Sequence, residues 1–173
     1  MFGGHLWSQQ QGDLEMSVSV CLDAVIPAKS GPVKSIREAW LDPDYLLSLV
    51  NTCARMRGGG VPSFAWVTSF DPLGGESMGE FSEQELEELM SKEPSAKDCA
   101  KPQDAQKALE WLKAAIKQDT LPHKKEVIDA MGFKNERAYK KAEPEILDQI
   151  DQWLDLCRFA TSKGALVVVR FEG

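Results

Sequence analysis

The chain has 173 residues, 43% of them hydrophobic and 27% charged, with a formal net charge of −7. That is enough for one domain with its own apolar core, and five Trp and seven Phe set it apart from disordered chains. The negative balance excludes whole-surface attraction to nucleic acid or anionic membrane. No apolar run approaches the roughly 18 residues of a membrane span.

The first residues, MFGGHLWSQQQGDLEM, lack the basic and then apolar pattern of a secretory leader, and Met16 opens a strand-like stretch. Residues 1–15 are therefore set aside as an N-terminal extension or cloning remnant, and 16–173 are read as the domain. A cytoplasmic location is expected. The alternation of Val18, Val20, Leu22 and Ala24 predicts a strand over 17–25 with one buried face. AKSGP is a turn, and the Ser35/Glu38 spacing predicts a short capped helix from Ile36 to Leu41. Asp42-Pro43 starts a helix running to Arg57, which buries Leu46, Leu49, Val50, Cys53 and Met56 and stops at Gly58.

SFAWVTSF (63–70), aromatic and β-branched, predicts a second strand, followed by the loop DPLGGESMGE. Phe81, Ser82, Glu85 and Leu86 combine a hydrophobic staple with a capping box, so a helix starts there; it carries Leu86, Leu89 and Met90 inward and stops before Pro94. EPSAKDCAKP is a loop. Pro102 opens a helix with Ala105, Ala108, Leu109, Leu112 and Ile116 on one stripe. Helices from Pro122 to Met131 and from Asn135 to Ala142 follow. Pro144 is expected to end the second of these and to begin a last helix with the stripe Ile146, Leu147, Ile150, Trp153, Leu154 and Cys157. Gly164 closes it, and ALVVVRF (165–171) is a nearly all-apolar strand. The fold class is α+β: a small, mostly antiparallel or mixed sheet of about three strands, the C-terminal strand central, covered by five to seven helices.

Cys21, Cys53, Cys99 and Cys157 are widely spaced, and with only His5 and His123 besides they match no metal-ligand pattern. Nothing in the chain provides a thiolate with a neighbouring base, a G-x-S-x-G elbow or a phosphate loop; Gly58-Gly59-Gly60 follows a helix and has no lysine. None of the fourteen lysines has a carboxylate two residues before it, as a metal-dependent nuclease strand often does. No catalytic residue, metal or cofactor is expected.

Two features point to binding. Between Asp71 and Glu93 eight acids face only Lys92, a local balance of −7. Glu83 and Glu85 suit a helix start, whereas Glu87 and Glu88 have no such explanation. With Asp148, Asp151 and Asp155 on the outer face of the last helix, Glu83, Glu87 and Glu88 form a candidate surface for a basic protein partner. In size and charge alone, the chain is similar to small acidic inhibitors, bacterial immunity proteins among them. That likeness implies a non-enzymatic inhibitor acting through a protein–protein interface.

The second feature is KKEVIDAMGFKNERAYKKA (124–142), which resembles a helix-turn-helix over about 20 residues: a patterned helix, a turn at Met131-Gly132-Phe133, then a basic helix. Ile128 departs from that family, which favours a small residue four positions before the turn glycine. The resemblance implies a nucleic-acid-binding regulator with Lys134, Asn135, Arg137, Lys140 and Lys141 facing DNA. Protein binding through the acids is the first reading and nucleic-acid binding the alternative.

Overall fold

The computed structural model describes residues 19–41, 45–56, 60–74 and 76–172. Residues 1–15, the Asp42-Pro43 helix start and the Arg57-Gly58 helix end lie outside that set. The sheet holds three antiparallel strands, β1 (Ser19–Ile26), β2 (Lys34–Leu41) and β3 (Leu166–Glu172), in the order β2-β1-β3. Around it lie α1 (Tyr45–Ala54), α2 (Glu83–Met90), α3 (Pro102–Lys117), α4 (Lys124–Ala130) and α5 (Glu136–Ser162). The α+β class and the antiparallel sheet agree with the sequence pattern. The placement of the C-terminal strand agrees in part. β3 is apolar and buried, but the central position belongs to β1. The outer edge of β3 is met instead by a single residue, Ala100, whose N–H donates to the Val167 carbonyl at 2.8 Å and whose carbonyl accepts at 2.9 Å.

Residues Ile36–Leu41 are strand, not helix. Val20 through Asp23 of β1 pair with Leu41 through Glu38, and the register shifts once, between Ala24 and Val25. The Ser35 hydroxyl that suggested a helix cap donates to Asp23 of the neighbouring strand at 2.6 Å. Cross-strand bonds to β1 outweigh a six-residue helix that would gain little by itself. The stretch 63–70 is likewise not a strand. It makes one 3-10 turn, Ala65–Val67, with Val67 N–H donating to the Phe64 carbonyl. Its aromatic residues are plugs: Trp66 stacks edge-on against Trp153 with centroids 6.2 Å apart, and Phe64 against Trp111 at 6.4 Å. β propensity here reports large side chains that need burial, which a turn provides as well as a sheet.

The expected break at Pro144 is also absent. α5 runs 27 residues through that proline, which is exposed. A proline removes one N–H bond and crowds the carbonyl four residues before it. The flanking turns bury Tyr139 on one side and Ile146, Ile150, Trp153, Leu154 and Cys157 on the other. That burial, at roughly 1.5–3 kcal/mol per large side chain, exceeds the local cost. These residues meet Val20, Leu22 and Ala24 of β1 and Leu109 and Leu112 of α3 in one core. Because strand side chains alternate, Cys21, Asp23 and Val25 occupy the opposite, outer face.

Candidate functional site

α2 forms as its start signal dictates. The Ser82 hydroxyl accepts from Glu85 N–H at 3.2 Å, and the Glu85 carboxylate accepts from Ser82 N–H at 2.9 Å. That backbone bond holds the Glu85 carboxyl below the ordinary carboxylate value. Leu86, Leu89 and Met90 do not go fully inward as expected: they are half-buried, and no residue of α2 is buried. A helix of eight residues lies at the rim, where its apolar side meets only part of the surface. Glu83, Glu87 and Glu88 are exposed.

The acids of α5 divide into two groups. Asp151 pairs with Lys113 of α3 at 2.6 Å and Asp155 with Arg37 of β2 at 3.2 Å. Both pairs link α5 to its neighbours across partly exposed surface. Asp148 instead accepts a hydrogen bond from Gln152 at 2.8 Å. Among the described residues, no cation pairs with Asp148 or with Glu145 one turn before it. These two acids, with Trp40, Leu41, Gln149 and Gln152, line a cavity of about 190 Å³ between the end of β2 and α5. The Gln149 side chain is buried, and its carbonyl oxygen accepts from Leu46 N–H at 3.0 Å, which fixes the cavity floor against α1. Two carboxylates that no described cation pairs with suit a positively charged group at this recess. Sequence reasoning found Asp148 by its position on the polar face. It missed the recess, because the assigned helix over 36–41 hid the strand end that borders it.

The 124–142 pair forms the expected two helices and turn. Gly132 takes φ 86°, its N–H donates to the Asp129 carbonyl, and Phe133 N–H donates to the Ile128 carbonyl. This is a Schellman close that needs a residue tolerant of the left-handed region. Lys124 joins the elements, reaching Asp119 after α3 and Glu136 at the start of α5. Its hydrogen bond with Asp119 raises the lysine and lowers the carboxyl from their ordinary values. Lys134, Asn135, Arg137, Lys140 and Lys141 are all exposed. Asn135, however, spends its side-chain oxygen capping Ala138 N–H at 2.9 Å, and Lys140 pairs with Glu143 at 3.4 Å. The second helix is not the short one a helix-turn-helix implies, since it continues as α5 into the acidic turns.

The cysteines have the chemistry of packed thiols. Burial pushes Cys53 and Cys157 to about 12. Burial, with Asp98 and Asp23 nearby, pushes Cys99 to about 11. Among the described residues no group of three or more His, Cys, Asp and Glu could hold a metal ion, and no helix is long and apolar enough to cross a membrane.

One buried charge is marked by no motif. Asp23, fully buried on the outer face of the central strand, accepts from Ser35 and, at 3.1 Å, from Arg170 of β3. Arg170 also reaches Glu93 at 3.1 Å. Burial raises the Asp23 carboxyl above its ordinary value, against the hydrogen bonds from Ser35 and Arg170. Burial also opposes the Arg170 charge, but the hydrogen bond to Asp23 and the charges of Glu93 and Asp23 outweigh it and hold the guanidinium above its ordinary value. The signal available in the sequence was one charge among apolar residues in each of two strands. No protein-family model matches this chain, and neither a curated protein nor a solved structure matches it at a significant level.

Proposed function

We propose that this is a non-enzymatic binding protein that recognises a basic protein partner through acidic surface, in the manner of an inhibitor or immunity-type protein. The observation that carries the reading is the recess between the end of β2 and α5. Asp151 and Asp155 are paired with cations of the fold, whereas Glu145 and Asp148 line that recess with no cation partner among the described residues. A lysine or arginine side chain of a partner fits that chemistry, and Glu83, Glu87 and Glu88 on α2 add exposed negative charge that speeds encounter. The site residues of the reading are therefore Glu145 and Asp148, with the α2 acids as a second patch. Asp151 and Asp155 serve the fold.

A second reading, a nucleic-acid-binding regulator, is favoured by one observation: Lys134, Arg137, Lys140 and Lys141 are exposed together beside a glycine-closed turn. The continuation of α5 into Glu145 and Asp148 opposes it, because those carboxylates repel phosphates.

Affinity capture of the tagged protein from its native lysate, with and without nuclease, separates the two. A stoichiometric basic protein that survives nuclease is expected. The double substitution Glu145→Lys, Asp148→Lys should weaken its binding by about tenfold or more, with Glu87→Lys, Glu88→Lys weaker in effect. Lys134→Ala and Arg137→Ala should change it little. Partners that vanish with nuclease, together with binding lost only in the lysine and arginine variants, would overturn the reading in favour of the second.

A further inference from the structure

Residues 93–100 cross from the β1–β2 hairpin to the far edge of β3. Their attachments are main-chain bonds and charges more than apolar burial. Val33 N–H donates to the Pro94 carbonyl at 3.1 Å, and Pro32 and Ser95 form an isolated bridge. The Ser69 hydroxyl donates to the Asp98 carbonyl at 2.8 Å, and Ala100 exchanges two bonds with Val167. Within 93–100 only Pro94 is buried, and the preceding helix α2 buries nothing. Segments with few buried apolar contacts open at lower free energy than the whole domain.

One side chain ties this segment to the sheet interior. Arg170 donates through one terminal nitrogen to the buried Asp23 and through the other to Glu93. We infer that residues 93–100, with α2 attached, form a strap that opens as a unit, and that Arg170 is its latch, with Asp23 the fixed end and Glu93 the moving end. Opening frees the Val167 main-chain groups on the edge of β3 and displaces the acids of α2. The strap opens and closes whether or not a partner is bound.

The charged and titratable groups around Asp23 are Glu38 and the Ser35 hydroxyl from β2, Arg170 from β3, Glu93 and Cys99 from the strap, and Cys21 from β1 itself, which acts on Arg170. Burial raises the Asp23 carboxyl above its ordinary value and the hydrogen bonds from Ser35 and Arg170 lower it, so the Arg170 bond supports the charge at the fixed end.

Amide hydrogen exchange by NMR on the full chain tests this. Val33, Ala100 and Val167 N–H report the strap, and the β1–β3 ladder reports the core. The three strap amides should share one protection factor, well below that of the ladder. Glu93→Gln should lower it by about two- to fivefold, as for a half-exposed ion pair. Arg170→Gln, which strands a buried carboxylate, should lower it on the order of tenfold to a hundredfold, and adding Asp23→Asn should restore part of the loss. Strap amides exchanging together with the ladder, or no response to Glu93→Gln, would each overturn the latch. Should Arg170→Gln not fold, Glu93→Gln carries the test.

Discussion

α2 and α5 are both acidic, both begin at a side-chain cap and both carry an apolar stripe, yet they hold opposite places in the molecule. α5 buries Tyr139, Ile146, Ile150, Trp153, Leu154 and Cys157, and two of its acids brace neighbouring elements through Arg37 and Lys113. α2 buries nothing, and Glu83, Glu87 and Glu88 face water. Seven turns of helix can reach across a sheet and a second helix; two turns reach only a rim. Acidic outer faces that read alike in sequence thus differ in use: on α5 two of the charges pair with other elements, and on α2 Glu85 serves only its own helix start.

The widest separation should come from Trp153→Ala. It removes a buried indole, its contact with Trp66 and the hydrogen bond it donates to the Ala39 carbonyl at 3.1 Å. A loss of about 3–5 kcal/mol in urea-melt stability is expected, with sheet and helices lost together. A loss under about 1 kcal/mol would mean that α5 is not the spine of the core. Gly132→Ala should come next. At φ 86° a Cβ opposes the turn that seats α4 against α5, at a cost of about 1–2 kcal/mol. An unchanged melt would show that the turn adopts another form. Ser82→Ala should be smallest in the global melt, at most a few tenths of a kcal/mol, because α2 packs so little. Locally it removes a cap of about 1 kcal/mol, and exchange at the α2 amides should quicken by about fivefold. A global loss as large as that of Trp153→Ala would erase the distinction between the two helices.

Legibility in the sequence followed the same division. Caps and stripes worked where local chemistry decides: Ser82/Glu85, Pro102, Gly132 and Gly164 each begin or end a helix as read. The errors share a cause. Residues 36–41 became strand because β1 offers five pairings to them, 63–70 became a turn because Phe64 and Trp66 are needed inside, and Pro144 was absorbed because the core beneath α5 outweighs one missing bond. Among candidate residues, Asp148 was visible by helical periodicity. The recess it lines was not, since that forms only where the end of β2 meets α5, and the Asp23–Arg170 pair spans 147 residues.

By itself, then, the sequence determined the class of the domain, the acidic character of its surface, most helix starts and stops, and the residues that form its core stripes. These follow from side-chain periodicity and from the bonds a residue makes within four positions of itself. Tertiary structure alone decided which strand is central, which acids are braced and which are free, and that one arginine joins a buried carboxylate to the segment crossing above it. Those choices are settled by contacts between residues far apart in the chain, where burial and charge pairing outweigh local preference.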